Sequence, residues 1–335
     1  MSGAGPWQGL IDGLAHDPLV LVDVGARGGL QAHWQPVASA LTWIAFEPDE
    51  RSWQGIEASN LPPRRHLIRT ALSDKPGTVT FNRASGEGDS SILRPNLPFL
   101  RQFDKPERFE IVETIQLPAD TLDRTLADLK LKADVIKLDT QGTELAILKG
   151  GAATLASGVI AVDVEVELNP MYEDQPLFSD VDAHLRQFDL QLFDVVPRRW
   201  PYRAGLDLHL ARGPVIWAET VYFRTADALA RDVAAAGAPL LVKAVLVALV
   251  YGYPDFALAL VGACASSVDA ATATALETAV REWDAGTTTP NVPWTVELTP
   301  AQVRQLHATQ KETGTRPNAQ LRRAIRAWLE SRATG

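Results

Sequence analysis

Three short stretches of the chain combine residue types and spacings that could do chemistry. The first is Leu21-Val22-Asp23-Val24-Gly25-Ala26-Arg27-Gly28-Gly29, an apolar run that meets an acid and then a glycine-rich turn. The second, Ala45-Phe46-Glu47-Pro48, repeats the apolar-run-then-acid pattern roughly twenty residues later, the interval at which a nucleotide-binding sheet places a ribose-binding acid. Glycines let the backbone approach a ligand closely, and a carboxylate at the end of the next strand can accept hydrogen bonds from both ribose hydroxyls. The third stretch, Asp134-Val135-Ile136-Lys137-Leu138-Asp139, ends another apolar run in an acid, at the crevice where open α/β sheets hold their ligands.

The glycine spacing discriminates between cofactors. A dinucleotide fingerprint reads G-x-G-x-x-G and seats a pyrophosphate on a helix N-terminus; here the turn reads G-x-x-G-G, with Asp23 two residues ahead of it. An acid there repels a pyrophosphate and suits a ligand bearing a sulfonium and an ammonium, so the expected cofactor is S-adenosyl-L-methionine. On this reading Asp23, Gly25, Ala26, Arg27 and Gly28 line the cofactor and Glu47 holds its ribose. Ser73 and Asp74 lie at the adenine edge, with a plain turn cap as the competing role. Asp139 is expected to hold the methionine moiety or to take the proton of an acceptor hydroxyl, because such an oxygen is a poor nucleophile until its proton leaves. Lys137 is expected to point away from the neighbours of Asp139 and to pair with an acid.

Asp163, Glu165 and Glu167 alternate along one apolar run, so a strand would present all three on one face. Glu165 is a second candidate for the base and Glu167 for acceptor hydroxyls. A divalent metal is possible but less favoured, because the spacing is no specific ligand motif. Tyr172 and Trp200, with Trp217, could wall an acceptor ring or simply pack over the sheet. His184 is expected to be structural.

The elements that must position these residues follow from periodicity. Up to about Arg224 short apolar strands alternate with helical segments, the pattern of an α/β fold. Strands are expected at Leu19–Val24, Leu41–Phe46, His66–Ala71, Asp134–Leu138, Val159–Val166, Leu190–Val196 and Thr220–Phe223. Hairpin material is expected at Thr78–Asn82 and Ile111–Leu117, with Gly86 to Ser91 as a flexible loop. Beyond Arg224 strand signals vanish and Ala and Leu dominate, which predicts helices at Ala226–Ala236, Pro239–Tyr251, Asp255–Ser266 and Val268–Trp283. A linker should follow from Ala285 to Pro293, then two more helices near Pro300–Thr313 and Asn318–Ser331. The expected division is residues 1–224 as the catalytic domain and 225–335 as an all-helical domain serving oligomerisation or partner docking.

Composition limits the remaining choices. At 46% hydrophobic and 22% charged the chain reads as globular, and a net charge of -9 argues against nucleic acid as the partner. The last 35 residues run the other way, with seven Lys and Arg against two acids, a solvated helix face or a docking tail. One cysteine excludes an internal disulfide. With no leader-like start and no apolar run long enough to span a bilayer, the expectation is a cytoplasmic protein that is not an integral membrane protein.

The order of the motifs resembles the FkbM family of S-adenosylmethionine-dependent methyltransferases. The matching pieces are Val22 to Gly29, Ala45 to Pro48, Ala71-Leu72-Ser73-Asp74 with Gly77, Ser90-Ser91, Glu113-Thr114-Ile115 and Thr121-Leu122-Asp123. Asp134 to Glu144, Glu165-Val166-Glu167 with Tyr172, and Tyr222-Phe223-Arg224 complete the series. The resemblance implies a Rossmann-like class I methyltransferase with a doubly wound, mostly parallel seven-stranded sheet. It also implies O-methylation of a sugar, glycoconjugate or related small-molecule acceptor. Arg27 stands where the family most often has Asn, and an arginine suits a sulfonium site only if it turns outward or pairs with an acid. A homodimer through the helical region is a further expectation; the alternative function is a degenerate scaffold acting through that region.

Overall fold

The computed structural model describes residues 8–57, 61–208 and 211–286. The expected helices beyond residue 286, most of the linker and the basic tail lie outside them. In chain order, α1 (Gln8–Gly13) precedes β1 (Leu19–Val24), a 3₁₀ segment (Ala32–Ala40), β2 (Leu41–Phe46), α2 (Trp53–Glu57) and β3 (Arg64–Ile68). The insert comprises β4 (Ala71–Leu72), β5 (Gly77–Ala84), α3 (Leu97–Leu100) and β6 (Ile111–Asp120). Next come α4 (Leu122–Leu129), β7 (Val135–Leu138), α5 (Glu144–Gly150), α6 (Ala152–Ala156), β8 (Ala161–Glu167) and α7 (Phe178–Leu185). The chain then runs through β9 (Leu190–Arg199), β10 (Val215–Arg224), α8 (Ala226–Ala236), α9 (Ala238–Val250), α10 (Pro254–Ala263) and α11 (Ala270–Gly286).

Seven strands form one sheet in the order β3-β2-β1-β7-β8-β10-β9, parallel from β3 to β8, with β10 antiparallel to both its neighbours. This is a doubly wound, Rossmann-like sheet. The chain leaves β1 towards β2 and β3 on one side and returns to β7 and β8 on the other, so a crevice opens beyond the C-terminal end of β1. A second, three-stranded sheet, β4-β6-β5, stands beside that crevice. The expected third strand ends sooner than its apolar run suggested, and Ala71–Leu72 joins the small sheet instead.

Strand alternation sorts the core into two layers. Val20, Val22, Ile136, Leu138, Val162, Val164 and Val166 pack with Leu122, Leu126, Leu148, Leu155, Val181 and Leu185 of α4 to α7. Leu19, Leu21, Val135, Ala161, Val221 and Phe223 point the other way, against Trp34, Leu229, Leu241 and Val245 to Tyr251. Helices α8 to α11 thus cover the second face of the sheet and share its core. The expected boundary at 224/225 does not separate two cores. Composition shows that a segment is helical; it does not show which sheet face the helix must cover.

One charge marks the docking of α9. Lys243, buried, lies 2.9 Å from Asp17 and 3.1 Å from Asp134, whose carboxylate also accepts from Val20 N–H at 2.7 Å. A buried ammonium is stable only with such partners. Among the described residues no helix is long and apolar enough to cross a membrane. A chain ending at Arg224 would expose the apolar face of β1, β7, β8 and β10, so it is expected to aggregate or to lose cooperative unfolding. A monomeric truncated chain with a sharp urea transition would overturn the single-core description.

Candidate active site

The crevice is a cleft of about 930 Å³, including its solvent-open mouth, lined by the ends of β1, β2 and β7, the small sheet and the loop after β5. Its floor is the glycine turn. Gly25 N–H and Ala26 N–H both donate to Phe46 O, at 3.0 and 3.1 Å, and Asp139 N–H donates to Val24 O at 3.0 Å. Gly25 has φ +78°, and a Cβ there would lie 1.9 Å from Asp139 O. Only glycine allows the ends of β1 and β7 to approach this closely.

Glu47 ends β2 at one side of the cleft. Its Oε1 accepts from Asp49 N–H at 2.8 Å, and its carbonyl accepts from Trp53 Nε1–H at 3.1 Å. No protein donor among the described residues meets Oε2, which leaves that oxygen to a ligand. Burial pushes Glu47 up to about 7, against the Asp49 N–H that favours its charged form. Asp49 is itself held by Arg51 and Arg83. Phe46, Ala71, Leu72, Phe81, Ile92 and Ile147 supply apolar walls beside it.

Asp139 ends β7 at the other side, with its side chain 39% exposed. Lys137 Nζ stands 3.7 Å from Asp139 Oδ2 and 3.5 Å from Asp23 Oδ1, and donates to Gly25 O at 3.2 Å. Positions 137 and 139 share a strand face, so Lys137 pairs with Asp139 itself; the expectation that it points away from that neighbourhood is wrong. Burial disfavours the ammonium, but Asp23, Asp139, Asp163 and Glu219 outweigh it and hold Lys137 charged. Beyond β7, Glu144 Oε1 accepts from Thr140 N–H (2.7 Å), Thr140 Oγ1–H (2.9 Å) and Gly142 N–H (3.3 Å), which fixes the loop carrying Gln141.

Of the expected cofactor residues, Gly25, Arg27, Glu47 and Asp139 line the cleft. Arg27, half-exposed at the edge of the cleft, pairs with Glu87 at 3.5 Å, the partnering with an acid that the sequence led one to expect. Asp23 does not line the cleft. It is buried beneath the turn on the α9 side of the sheet, where Oδ2 accepts from Trp43 Nε1–H at 3.2 Å. Ala26 is buried in the core, and Gly28 (φ +87°) shapes the turn without lining the cleft. Ser73 and Asp74 lie outside it, hydrogen-bonded to one another beside Gly150; the wall is built by Thr70, Ala71 and Leu72.

The expected acceptor residues are also set back. Glu165 and Glu167 are almost fully buried, and neither lines the cleft. Tyr172 has no exposed surface and packs with Phe109, while Trp200 lies against Phe103 and Phe109. Tyr172 is buried and Trp200 part-buried in one aromatic cluster, and neither lines the cleft. His184, on α7, meets Phe188 edge to face. No group of three or more His, Cys, Asp or Glu side chains among the described residues is arranged to hold a metal ion.

Residues missed in the sequence complete the site. Gln141 lines the cleft and donates to both Asp139 and Glu165. The segment expected to be a flexible loop is tied down. Ser90 Oγ accepts from Ala84 N–H and Arg51 Nη2–H, Asp89 pairs with Arg108, and Ser91 Oγ–H donates to Gln141 O at 2.7 Å. The Ser90-Ser91 pair was visible in the sequence; the partner fifty residues away was not.

Asp23, Lys137, Asp163 and Glu219 occupy one sheet face, and burial pushes Asp163 up to about 8. The folded chain then keeps a proton that the unfolded one releases near 3.8, so stability falls as pH rises from about 4 to 8. The slope is at most about 1.4 kcal/mol per pH unit for one proton. Asp163→Asn is expected to flatten the pH dependence of urea unfolding between pH 5 and 9. An unchanged slope would remove Asp163 from that account.

The geometry agrees with comparison to known proteins. Residues 23–192 match the Methyltransferase FkbM domain. The chain is 28% identical over 190 residues to the 2-O-methyltransferase NoeI of Sinorhizobium fredii (strain NBRC 101917 / NGR234), covering 52% of this chain and 73% of that one. Among solved structures it is similar to methyltransferase FkbM from Methylobacillus flagellatus KT (16% identity, TM-score 0.39, 62% of this chain). It spans 44% of that protein, less than half its length. It is also similar to a putative S-adenosylmethionine dependent methyltransferase from Listeria monocytogenes (8% identity, TM-score 0.33, 66% of this chain and 98% of that one). With the family domain matched across half of its length, the chain belongs to the FkbM methyltransferase family.

Proposed function

We propose that this chain binds S-adenosylmethionine in the cleft and transfers its methyl group to a hydroxyl of a sugar, glycoconjugate or related small molecule. The observation that carries the reading is the placement of two carboxylates, Glu47 and Asp139, on opposite sides of one glycine-floored cleft. The bound cofactor supplies a methyl group on a sulfonium: as the oxygen–carbon bond forms, the sulfur–carbon bond breaks and its electron pair stays on sulfur.

The protein residues would then divide the work. Glu47 Oε2 accepts from the ribose hydroxyls, and Phe46, Leu72, Phe81 and Ile92 sandwich the base. Gly25 lets the ends of β1 and β7 close on one another and so forms the floor on which the ligand lies. Asp139 takes the acceptor's hydroxyl proton as the oxygen attacks and aligns that oxygen for in-line displacement. A relative described as a 2-O-methyltransferase supports oxygen as the acceptor atom. Hydroxyl-rich acceptors suit a cleft that carries Asp139 and Glu87 beside Gln141.

Two variants separate binding from chemistry. Glu47→Gln is expected to weaken S-adenosylhomocysteine binding by tenfold or more, since a charge-assisted hydrogen bond contributes about 1.5–3 kcal/mol. It should also remove a gain in affinity between pH 6 and 8, because Glu47 loses its proton near 7. Asp139→Asn is expected to lower turnover by about 10²–10⁴. Calorimetry and labelled methyl transfer to a panel of monosaccharides and oligosaccharides measure the two effects. Unchanged affinity in the Glu47 variant would sink the ribose assignment, and a wild-type enzyme that neither binds nor transfers would favour a scaffold.

A further inference from the structure

Gln141 occupies an unusual position. Its backbone is left-handed, with φ +59°, a conformation that costs a non-glycine residue free energy and persists only when surroundings enforce it. The surroundings do so from several sides: Ser91 Oγ–H holds its carbonyl, and Glu144 holds Thr140 and Gly142 on either side. The side chain is equally constrained. Nε2 donates to Asp139 Oδ1 at 3.1 Å and to Glu165 Oε1 at 2.8 Å, while Oε1 lies 3.1 Å from the Tyr172 hydroxyl. The amide thus turns its nitrogen, a donor only, to the two carboxyl groups and its oxygen, an acceptor only, to the Tyr172 hydroxyl.

We propose that Gln141 is a positioning residue that ties Asp139 to a buried, proton-holding Glu165, so that the base at the cleft is backed by a neutral acid and not by a second negative charge. This inference rests on the methyl-transfer reading of Asp139. Two carboxylates bridged by one amide nitrogen repel each other when both are charged, and one of them keeps its proton. The two environments decide which. Asp139 is 39% exposed and has Lys137 against its other oxygen. Glu165 is 5% exposed, and its one hydrogen-bond donor among the described residues is Gln141.

The groups facing Glu165 reinforce that choice. Asp139 on β7, Glu167 on its own strand, Glu219 on β10 and Glu144 on α5 are all acidic, and with burial they push Glu165 well above the carboxylate range. Lys137 lies beyond Asp139, Asp163 is two residues back on β8, and Arg198, over the Trp217 ring, favours the charged form of Glu219 through space. Tyr172 approaches Gln141 from the other side.

The test is a ¹³C-carboxyl titration of enzyme labelled in its Asp and Glu side chains and saturated with S-adenosylhomocysteine, the Glu165 signal being assigned by its loss in Glu165→Gln. In the wild type Glu165 should keep its proton through neutral pH. Gln141→Leu removes the donor to its carboxylate and should raise the midpoint by about one pH unit, the equivalent of one hydrogen bond. Tyr172→Phe, which frees the amide to rotate, should shift it in the same direction by less and carries the test if the leucine variant does not fold. A purely structural Gln141 would leave the midpoint in place. An ordinary carboxylate midpoint in the wild type, or an unmoved one in the folded variants, overturns the proposal. Wild-type enzyme that fails to bind S-adenosylhomocysteine in calorimetry overturns the methyl-transfer reading and this proposal with it; binding with an unmoved midpoint overturns this proposal alone.

Discussion

One buried ammonium governs how the site is put together. Lys137 Nζ reaches Gly25 O, Asp23 and Asp139 at once, and so joins the end of β1 to the end of β7 through charge as well as through the ladder. Removing any of these charges from water is costly, and a lone ammonium in the sheet would not remain charged. With its acids it does, and the glycine turn is held at one height above the strands. The close approach of Gly25 to the Asp139 carbonyl is possible because the two strand ends are clamped there.

The same constraint ties the C-terminal helices to the chemistry. The face carrying Asp23, Lys137 and Asp163 is covered by α9 and the residue that follows it, Tyr251, whose hydroxyl donates to Asp163 Oδ2 at 3.2 Å. Trp34, Phe223 and Tyr251 pack edge to face around that contact and keep water from it. The low dielectric that makes Lys137 dependent on Asp139 is therefore created by helices far from the cleft in sequence. Residues 226–251 belong to the site's electrostatics although none of them lines it.

Much of this was legible in the sequence, for physical reasons that differ from residue to residue. Glu47 and Asp139 were readable because an acid ending an apolar strand has few other places to go than the crevice. Asp23 shares that signature, but it lies inside β1, level with Ala45 and Lys137, whereas Glu47 and Asp139 stand one residue past the ends of their strands and so reach the cleft. Ser73 and Asp74 missed the wall because the third strand ends at Ile68, a bound set by pairing and not by hydrophobicity. Tyr172 and Trp200 look like ligand platforms in a one-dimensional reading, since nothing local says that they will pack with Phe103 and Phe109 away from the cleft. Lys137 was misplaced by a parity error: residues two apart on a strand are neighbours on one face.

Gln141 shows why the motif pieces are worth reading together. Ser91, Gln141 and Tyr172 are separated by fifty and thirty-one positions, yet the first holds the backbone of the second and the third holds its amide. Ser91 comes from the insert, Gln141 from the end of β7, and Tyr172 from the segment after β8. Each comes from a different part of the chain, and their meeting point is the left-handed residue beside Asp139. A loop can hold such a conformation only when several independent contacts enforce it. The small sheet is therefore more than an insertion beside the cleft: through Ser91 it helps enforce the geometry around Asp139, and its loops are free to vary only where they leave that contact in place.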